Sequence, residues 1–97
     1  MITRIVRMDF QPALLPQFEA IFAASKEKIR AFPGCLHLEM HQDPQAAHIR
    51  YTFSRWESEA ALETYRQSEL FSSTWAATRV LFQAKAQAFS LQQIEIV

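Results

Sequence analysis

Apolar and polar residues alternate along the first ten positions of the chain. One face of this stretch carries mainly apolar side chains: Arg4, Val6, Met8 and Phe10. Alternation with a period of two is typical of a β-strand that is buried on one side. We therefore predict a strand over residues 2–10.

The period then changes to three or four residues. An apolar stripe at this spacing runs from Leu14 to Phe32, and Pro12 and Pro16 stand where a first helical turn tolerates proline. We predict an amphipathic helix here, terminated by Pro33–Gly34.

Two further alternating stretches, 35–42 and 48–56, flank the turn signal Asp43–Pro44 and predict a hairpin. In the second of these strands we expect the larger apolar side chains to face the core: Ile49, Tyr51 and Phe53. Thr52 would then point away from the helices.

Two helices that begin at serines and a last strand complete the chain. Ser58 is a good N-cap for a short helix to about Arg66, and Ser68 for a longer helix over about 69–87. The inner stripe of the longer helix would carry four side chains: Phe71, Trp75, Thr78 and Phe82. A strand over about 89–97 follows.

The order β-α-β-β-α-α-β predicts an α+β fold of the ferredoxin-like, split β-α-β type. Four antiparallel strands would form one sheet with the helices on one face. Ninety-seven residues, of which 49% are hydrophobic, predict a single domain over 1–97. The other sheet face mixes Ile, Thr, His and balanced charges, so both a solvated face and a face that pairs with a second copy stay open.

Composition bears on partners and location. Ten basic residues balance ten acidic ones, so the chain lacks the basic patch that binds nucleic acid or anionic membranes. No apolar run approaches the roughly 20 residues that cross a bilayer, and the N-terminus does not resemble a signal peptide. Cys35 is the only cysteine, which excludes an intramolecular disulfide. We expect a cytoplasmic protein.

His37, Glu39 and His41 share one face of the second predicted strand. Because a strand rises about 3.3 Å per residue, the two histidines would lie about 13 Å apart and could not share one ion. No metal site is predicted.

Three motifs carry a family resemblance: Arg30–Cys35 (RAFPGC), Trp56–Leu62 (WESEAAL) and Ser68–Phe71 (SELF). From about Arg4 to Phe89 the chain resembles the antibiotic biosynthesis monooxygenase domain family. The resemblance implies a ferredoxin-like subunit that pairs through its sheet into a dimeric α/β barrel, with a cavity between helices and sheet. Known members include cofactor-independent oxygenases of quinol- or anthrone-like compounds, and haem-degrading enzymes.

The resemblance also bears on single positions. Trp75 stands where haem-degrading relatives carry the histidine that binds iron, and Val6 falls near their strand asparagine. Tyr65 stands where those relatives carry tryptophan and where many quinol-oxidising relatives carry histidine. Haem degradation is therefore not expected, and no cofactor is predicted.

Cofactor-free oxygenation needs an apolar slot for a flat ring, a hydrogen-bonding group near the acidic proton, and a charge that stabilises the anion. We assign the hydrogen bond to Tyr65 and the charge to Arg79, as candidate catalytic residues. The candidate substrate-binding residues are aromatic: Trp56, Phe71, Trp75 and Phe82. Aromatic residues at helical spacing are also ordinary core residues, and an arginine such as Arg79 is commonly solvated.

Two functions follow from these assignments. The first is a homodimeric, cofactor-independent monooxygenase that oxidises a quinol-, anthrone- or polyketide-like small aromatic molecule with O2. The alternative is a non-catalytic ligand-binding or structural homodimer of the same fold, in which Tyr65 and Trp75 complete the core.

Overall fold

The computed structural model describes residues 1–97. The chain forms four strands and three helices in this order: β1 (Ile2–Phe10), α1 (Leu15–Arg30), β2 (Cys35–Asp43), β3 (Ala46–Trp56), α2 (Glu59–Arg66), α3 (Glu69–Arg79) and β4 (Phe82–Gln92). A single 3-10 turn, Pro12–Leu14, leads into α1. The strands form one antiparallel sheet in the order β2-β3-β1-β4. The predicted α+β, ferredoxin-like fold is confirmed.

The predicted serine caps begin both C-terminal helices. The Ser58 hydroxyl accepts a hydrogen bond from the backbone N–H of Ala61 at 3.1 Å, and Ser68 accepts one from Phe71 at 3.1 Å. Each cap satisfies a backbone donor that has no partner within the first helical turn. These caps fix where α2 and α3 start.

Gly34, the only glycine, turns the chain between α1 and β2 with φ +87°. A Cβ atom at this position would lie 2.5 Å from the Cβ of Ala61. The turn therefore requires glycine twice, for its backbone conformation and for the close approach of α2.

The predicted C-terminal boundaries were wrong. The helix predicted over 69–87 ends at Arg79, and the strand predicted over 89–97 begins at Phe82 and ends at Gln92. The segment 82–92 pairs with β1 along almost its whole length. Those ladder hydrogen bonds outweigh the helix propensity of its alanines, lysine and glutamines.

The predicted orientation of β3 was also wrong. Thr52 lies opposite Val6 of β1, and both side chains face the helices. Because side chains alternate along a strand, the neighbours of Thr52 face the other way. This uncovered surface, the open face, carries six large apolar side chains: Ile5, Ile49, Tyr51, Phe53, Phe89 and Leu91.

The buried apolar residues under the helices form two separate clusters. One contains Ile2, Cys35, Trp56 and Leu62, and the other contains Met8, Phe10 and Phe18. The core is therefore divided rather than continuous. No helix of the structure has the length and apolar character needed to cross a bilayer.

Candidate functional site

A cavity of about 260 Å³ lies between the helices and the sheet. All three helices and all four strands contribute to its wall, and the wall draws residues from both core clusters. A cavity of about 150 Å³ holds benzene, and sites for drug-sized ligands begin at about 300 Å³. This cavity therefore suits a ligand of about two fused rings.

Four aromatic side chains line one continuous side of the cavity, which we call the aromatic wall: Trp56, Tyr65, Phe71 and Trp75. Tyr65 stacks on Trp56 with a centroid separation of 4.8 Å, and the Tyr65–Phe71 and Phe71–Trp75 separations are 5.3 and 5.9 Å. These separations lie in the range favoured by aromatic pairs. The α3 residues Phe71 and Trp75, four positions apart, share one helical face.

The structure thus brings together four of the six candidate residues from the sequence. Phe82 is not on the cavity wall; it begins β4, where its ring lies 5.6 Å from that of Trp75 and 5.2 Å from that of Phe10. Arg79 is exposed at the last turn of α3 and does not line the cavity. The catalytic roles assigned to Tyr65 and Arg79 stay predictions.

Tyr65 lines the cavity and is half-buried. Burial raises the pKa of Tyr65 to about 12, with a smaller contribution from the nearby Cys35. The phenol is therefore protonated throughout the neutral range and acts as a hydrogen-bond donor rather than a base. This hydroxyl is not among the buried polar atoms that lack a partner.

Two arginines that were not among the predicted site residues, Arg4 and Arg66, lie on the cavity wall. The Arg4 side chain of β1 and the Arg66 side chain of α2 both line the cavity. Burial, and then the charge of Arg66, lower the pKa of Arg4, while Glu63 opposes them. One signal was present in the sequence, since Arg4 interrupts the apolar face of β1.

The remaining polar wall residues are neutral, and most bond within the protein. Ser54 accepts a hydrogen bond from Trp56 Nε1 at 3.0 Å, and Thr78 donates to the carbonyl of Thr74 at 2.7 Å. Thr52, predicted to point away, faces the cavity. The wall holds no His, Asp, Glu or Cys, so it supplies hydrogen bonds and positive charge but no ordinary general base.

The His37–Glu39–His41 group lies on the open face, outside the cavity. Glu39 accepts a hydrogen bond from each of the two histidines, and these contacts lower the pKa of the carboxyl. No group of three or more His, Cys, Asp or Glu side chains is arranged to hold a metal ion.

The chain matches the family model for antibiotic biosynthesis monooxygenase over residues 1–77. The protein belongs to this family. No curated protein matches it. Solved structures are similar over almost the full length of both chains. One is an antibiotic biosynthesis monooxygenase with 17% identity and a TM-score of 0.92, covering 98% of this chain and 100% of that chain.

Two other similar structures come from named organisms. A Pseudomonas aeruginosa protein is 26% identical with a TM-score of 0.85, and the match covers 97% of this chain and 94% of that chain. A Mycobacterium tuberculosis protein is 20% identical with a TM-score of 0.90, covering 98% of this chain and 96% of that chain. The family resemblance inferred from the motifs is confirmed.

Proposed function

We propose that the protein is a cofactor-independent monooxygenase that oxidises a small aromatic quinol with O2. The observation that carries this proposal is the cavity itself, a space of about 260 Å³ bounded by the aromatic wall, of which Tyr65 is a part. Quinol-, anthrone- and polyketide-like compounds of about two fused rings are the substrate class that this volume and lining favour.

In the reaction we propose, the quinol loses a proton and the resulting anion reduces O2. One oxygen atom enters the ring and the other leaves as water, so the substrate supplies all four electrons and becomes a hydroxyquinone. Tyr65 donates a hydrogen bond to the reacting oxygen. The positive charge of Arg4 stabilises the anion, a role that Arg79, away from the wall, is not placed to fill.

The absence of His, Asp and Glu from the wall supports a particular route for the proton. The substrate's own acidity, increased by the nearby guanidinium, replaces a protein base. The rate of quinol oxidation should then rise with pH as a larger fraction of the substrate is ionised. Two quinols of different acidity should give pH–rate profiles displaced by the difference in their pKa values. Coincident profiles would instead point to a titrating protein group.

Oxygen uptake under air tests the proposal directly. A panel of naphthols, hydroquinones and anthrones should include a compound that consumes O2 faster with the protein than without it. Tyr65→Phe should lower kcat by about 10- to 100-fold, the usual effect of losing one transition-state hydrogen bond. Tyr51→Phe is the matched control, because Tyr51 lies on the open face. No turnover and no ring compound bound would contradict the proposal.

We also infer that a second copy of the chain covers the open face. Six large apolar side chains lie on this face without a helix over them, and Arg55 Nε there is buried without a hydrogen-bond partner. A surface patch of this kind marks an interface. Light scattering should give the mass of a homodimer; a monomer at micromolar concentration would contradict it.

One observation favours a second candidate function, a homodimer that binds a ligand without reacting. The wall holds no His, Asp, Glu or Cys that could act as a general base. Calorimetry under nitrogen and oxygen uptake under air separate the two. Binding without uptake across the panel would favour the non-catalytic dimer, and uptake above the spontaneous rate would exclude it.

A further inference from the structure

The two charged residues of the cavity wall, Arg4 and Arg66, both lie at the mouth of the cavity. Most wall residues are buried or half-buried, and the two exposed ones, Arg66 and Ala88, mark where the cavity opens. Arg4 lies opposite Ser90 on β4, two residues beyond Ala88. Both guanidinium-bearing residues therefore stand at the opening, whereas Trp56 of the aromatic wall is only 1% exposed.

Arg4 has no anionic partner in the chain. Its Nη1 donates to the hydroxyl of Ser90 at 2.9 Å, and no carboxylate lies within 4.0 Å of it. Glu63 is occupied on both oxygens, by Arg66 at 3.2 Å and by Gln67 at 2.8 Å. Because a guanidinium carries five N–H donors, Arg4 keeps donors available to a ligand.

The surroundings of Arg4 also disfavour its charge. Partial burial and the like charge of Arg66 both lower the pKa of Arg4. A bound anion would offset both effects, since it replaces lost hydration and screens the repulsion between the guanidiniums. A carboxylate fits best, because its two oxygens match the two parallel N–H groups of a guanidinium.

We infer that the cavity is selective for an aromatic acid, a quinol whose ring lies against the aromatic wall and whose carboxylate is bound by Arg4 at the mouth, next to Arg66. This inference deepens the proposed function and rests on it for the reaction, although not for binding. In such a substrate the carboxylate is next to a hydroxyl on the ring. The guanidinium of Arg4 then faces both the carboxylate and the hydroxyl oxygen that loses its proton in the reaction. Arg4 is then a specificity-determining residue.

Calorimetry under nitrogen separates binding from turnover. The probes are a dihydroxynaphthoic acid, with its carboxylate next to a hydroxyl, and the methyl ester of the same compound. We expect the acid to bind the native protein about 10- to 100-fold more tightly than the ester, the range that a charge-assisted hydrogen bond supplies. Arg4→Gln should remove that preference, so that the acid and the ester bind with about the same affinity.

Two further variants control for charge and folding. Arg4→Lys keeps the charge without the paired donors and should retain part of the preference for the acid. Lys28→Gln changes the net charge equally at an exposed position of α1 outside the cavity and should leave the preference intact. The acid–ester comparison on the native protein needs no variant, so a misfolded Arg4→Gln protein would not prevent a decision.

The outcomes separate this inference from the oxygenase proposal. Equal affinity for acid and ester, no binding of the acid, or a preference that survives Arg4→Gln would overturn the inference. Oxygen consumption with neutral quinols in that case would leave the oxygenase proposal standing. Tight, Arg4-dependent binding of the acid without oxygen uptake would support the inference about binding and contradict the oxygenase proposal.

Discussion

The middle of β3, Tyr51 to Ser54, reverses the usual distribution of polar and apolar residues between the two faces of the sheet. Beneath the helices, where a closed core is expected, the sheet presents Arg4, Thr52 and Ser54 to a cavity. On the open face, where solvent is expected, it presents large apolar side chains, including Phe89 and Leu91, each 51% exposed. Antiparallel sheets with one solvated face normally show the opposite arrangement.

This pattern is consistent with a ligand site on one face of the sheet and an interface on the other. Polar groups under the helices lower the stability of a core but are needed to bind and orient a ligand. Apolar groups on the open face lower the solubility of a monomer but are needed by an interface. The pattern of β3 therefore follows the proposed assembly and not the isolated chain.

The largest expected effect comes from placing a charge on the open face. Phe53→Asp should raise the dissociation constant of the proposed dimer by at least about 100-fold, because it removes a large apolar side chain and places a charge at the interface. Light scattering over a dilution series measures this change. Val80→Asp, at an apolar residue that is 67% exposed after α3, is the control and should leave the mass unchanged. A dimer unaffected by Phe53→Asp would place the interface elsewhere.

The next largest effect is a loss of stability at alkaline pH, caused by Tyr65 on the cavity wall. The folded pKa of Tyr65 is raised from 10.0 to about 12, so its contribution to stability is fully present below pH 10 and is lost as pH rises through about 12. Over that interval the unfolding free energy should fall by about 2 kcal/mol. Tyr65→Phe should abolish this part of the decline in urea titrations and remove the highest phenolate transition from the absorbance. An unchanged alkaline limb would contradict the raised pKa of Tyr65 and the desolvation that causes it.

A smaller effect is expected from making the cavity less polar. Thr52→Val should raise the unfolding free energy by about 0.5–1 kcal/mol, because it removes a half-buried hydroxyl and keeps the shape of the side chain. Thr3→Val on the open face is the matched control. Urea denaturation measures both variants, and a destabilised Thr52→Val would mean that the hydroxyl has a structural partner.

The smallest effect concerns Glu39 on the open face. Hydrogen bonds from His37 and His41 lower the pKa of Glu39 below 4.5. Its contribution to stability is therefore present above pH 4.5 and is lost as pH falls through the lowered value. The difference in Tm between the wild type and Glu39→Gln should shrink from about pH 6 to about pH 3. A constant difference would show that the carboxylate charge contributes nothing.

The sequence predicted most of the fold and four of the side chains that line the cavity. The strand and helix order, the serine caps and the glycine turn follow from local patterns that tertiary contacts do not override. The orientation predicted for β3 was inverted, because the large apolar side chains of Ile49, Tyr51 and Phe53 were expected to pack under the helices of the same chain. β4 was misplaced because its alanine-rich composition favours a helix, while its pairing with β1 is a long-range contact.

For the site, helical periodicity was enough to place Tyr65, Phe71 and Trp75 on one wall. It could not identify Arg4, because the meaning of a charged residue on an apolar strand face depends on whether a cavity lies above it. It led to Arg79 and did not identify Arg66 for a similar reason, since the position of a helix end relative to the sheet is set by tertiary packing.

The turn at Gly34 has a consequence for how the site could change. Because a methyl group at this one backbone position would collide with Ala61, the close approach of α2 to the turn before β2 depends on the absence of a side chain at Gly34. The α2 helix carries Leu62, Tyr65 and Arg66 of the cavity wall. The contact between Gly34 and Ala61 therefore lies outside the cavity wall but fixes the position of a helix that forms it, and a change at Ala61 would alter the room for a ligand without altering any residue of the wall.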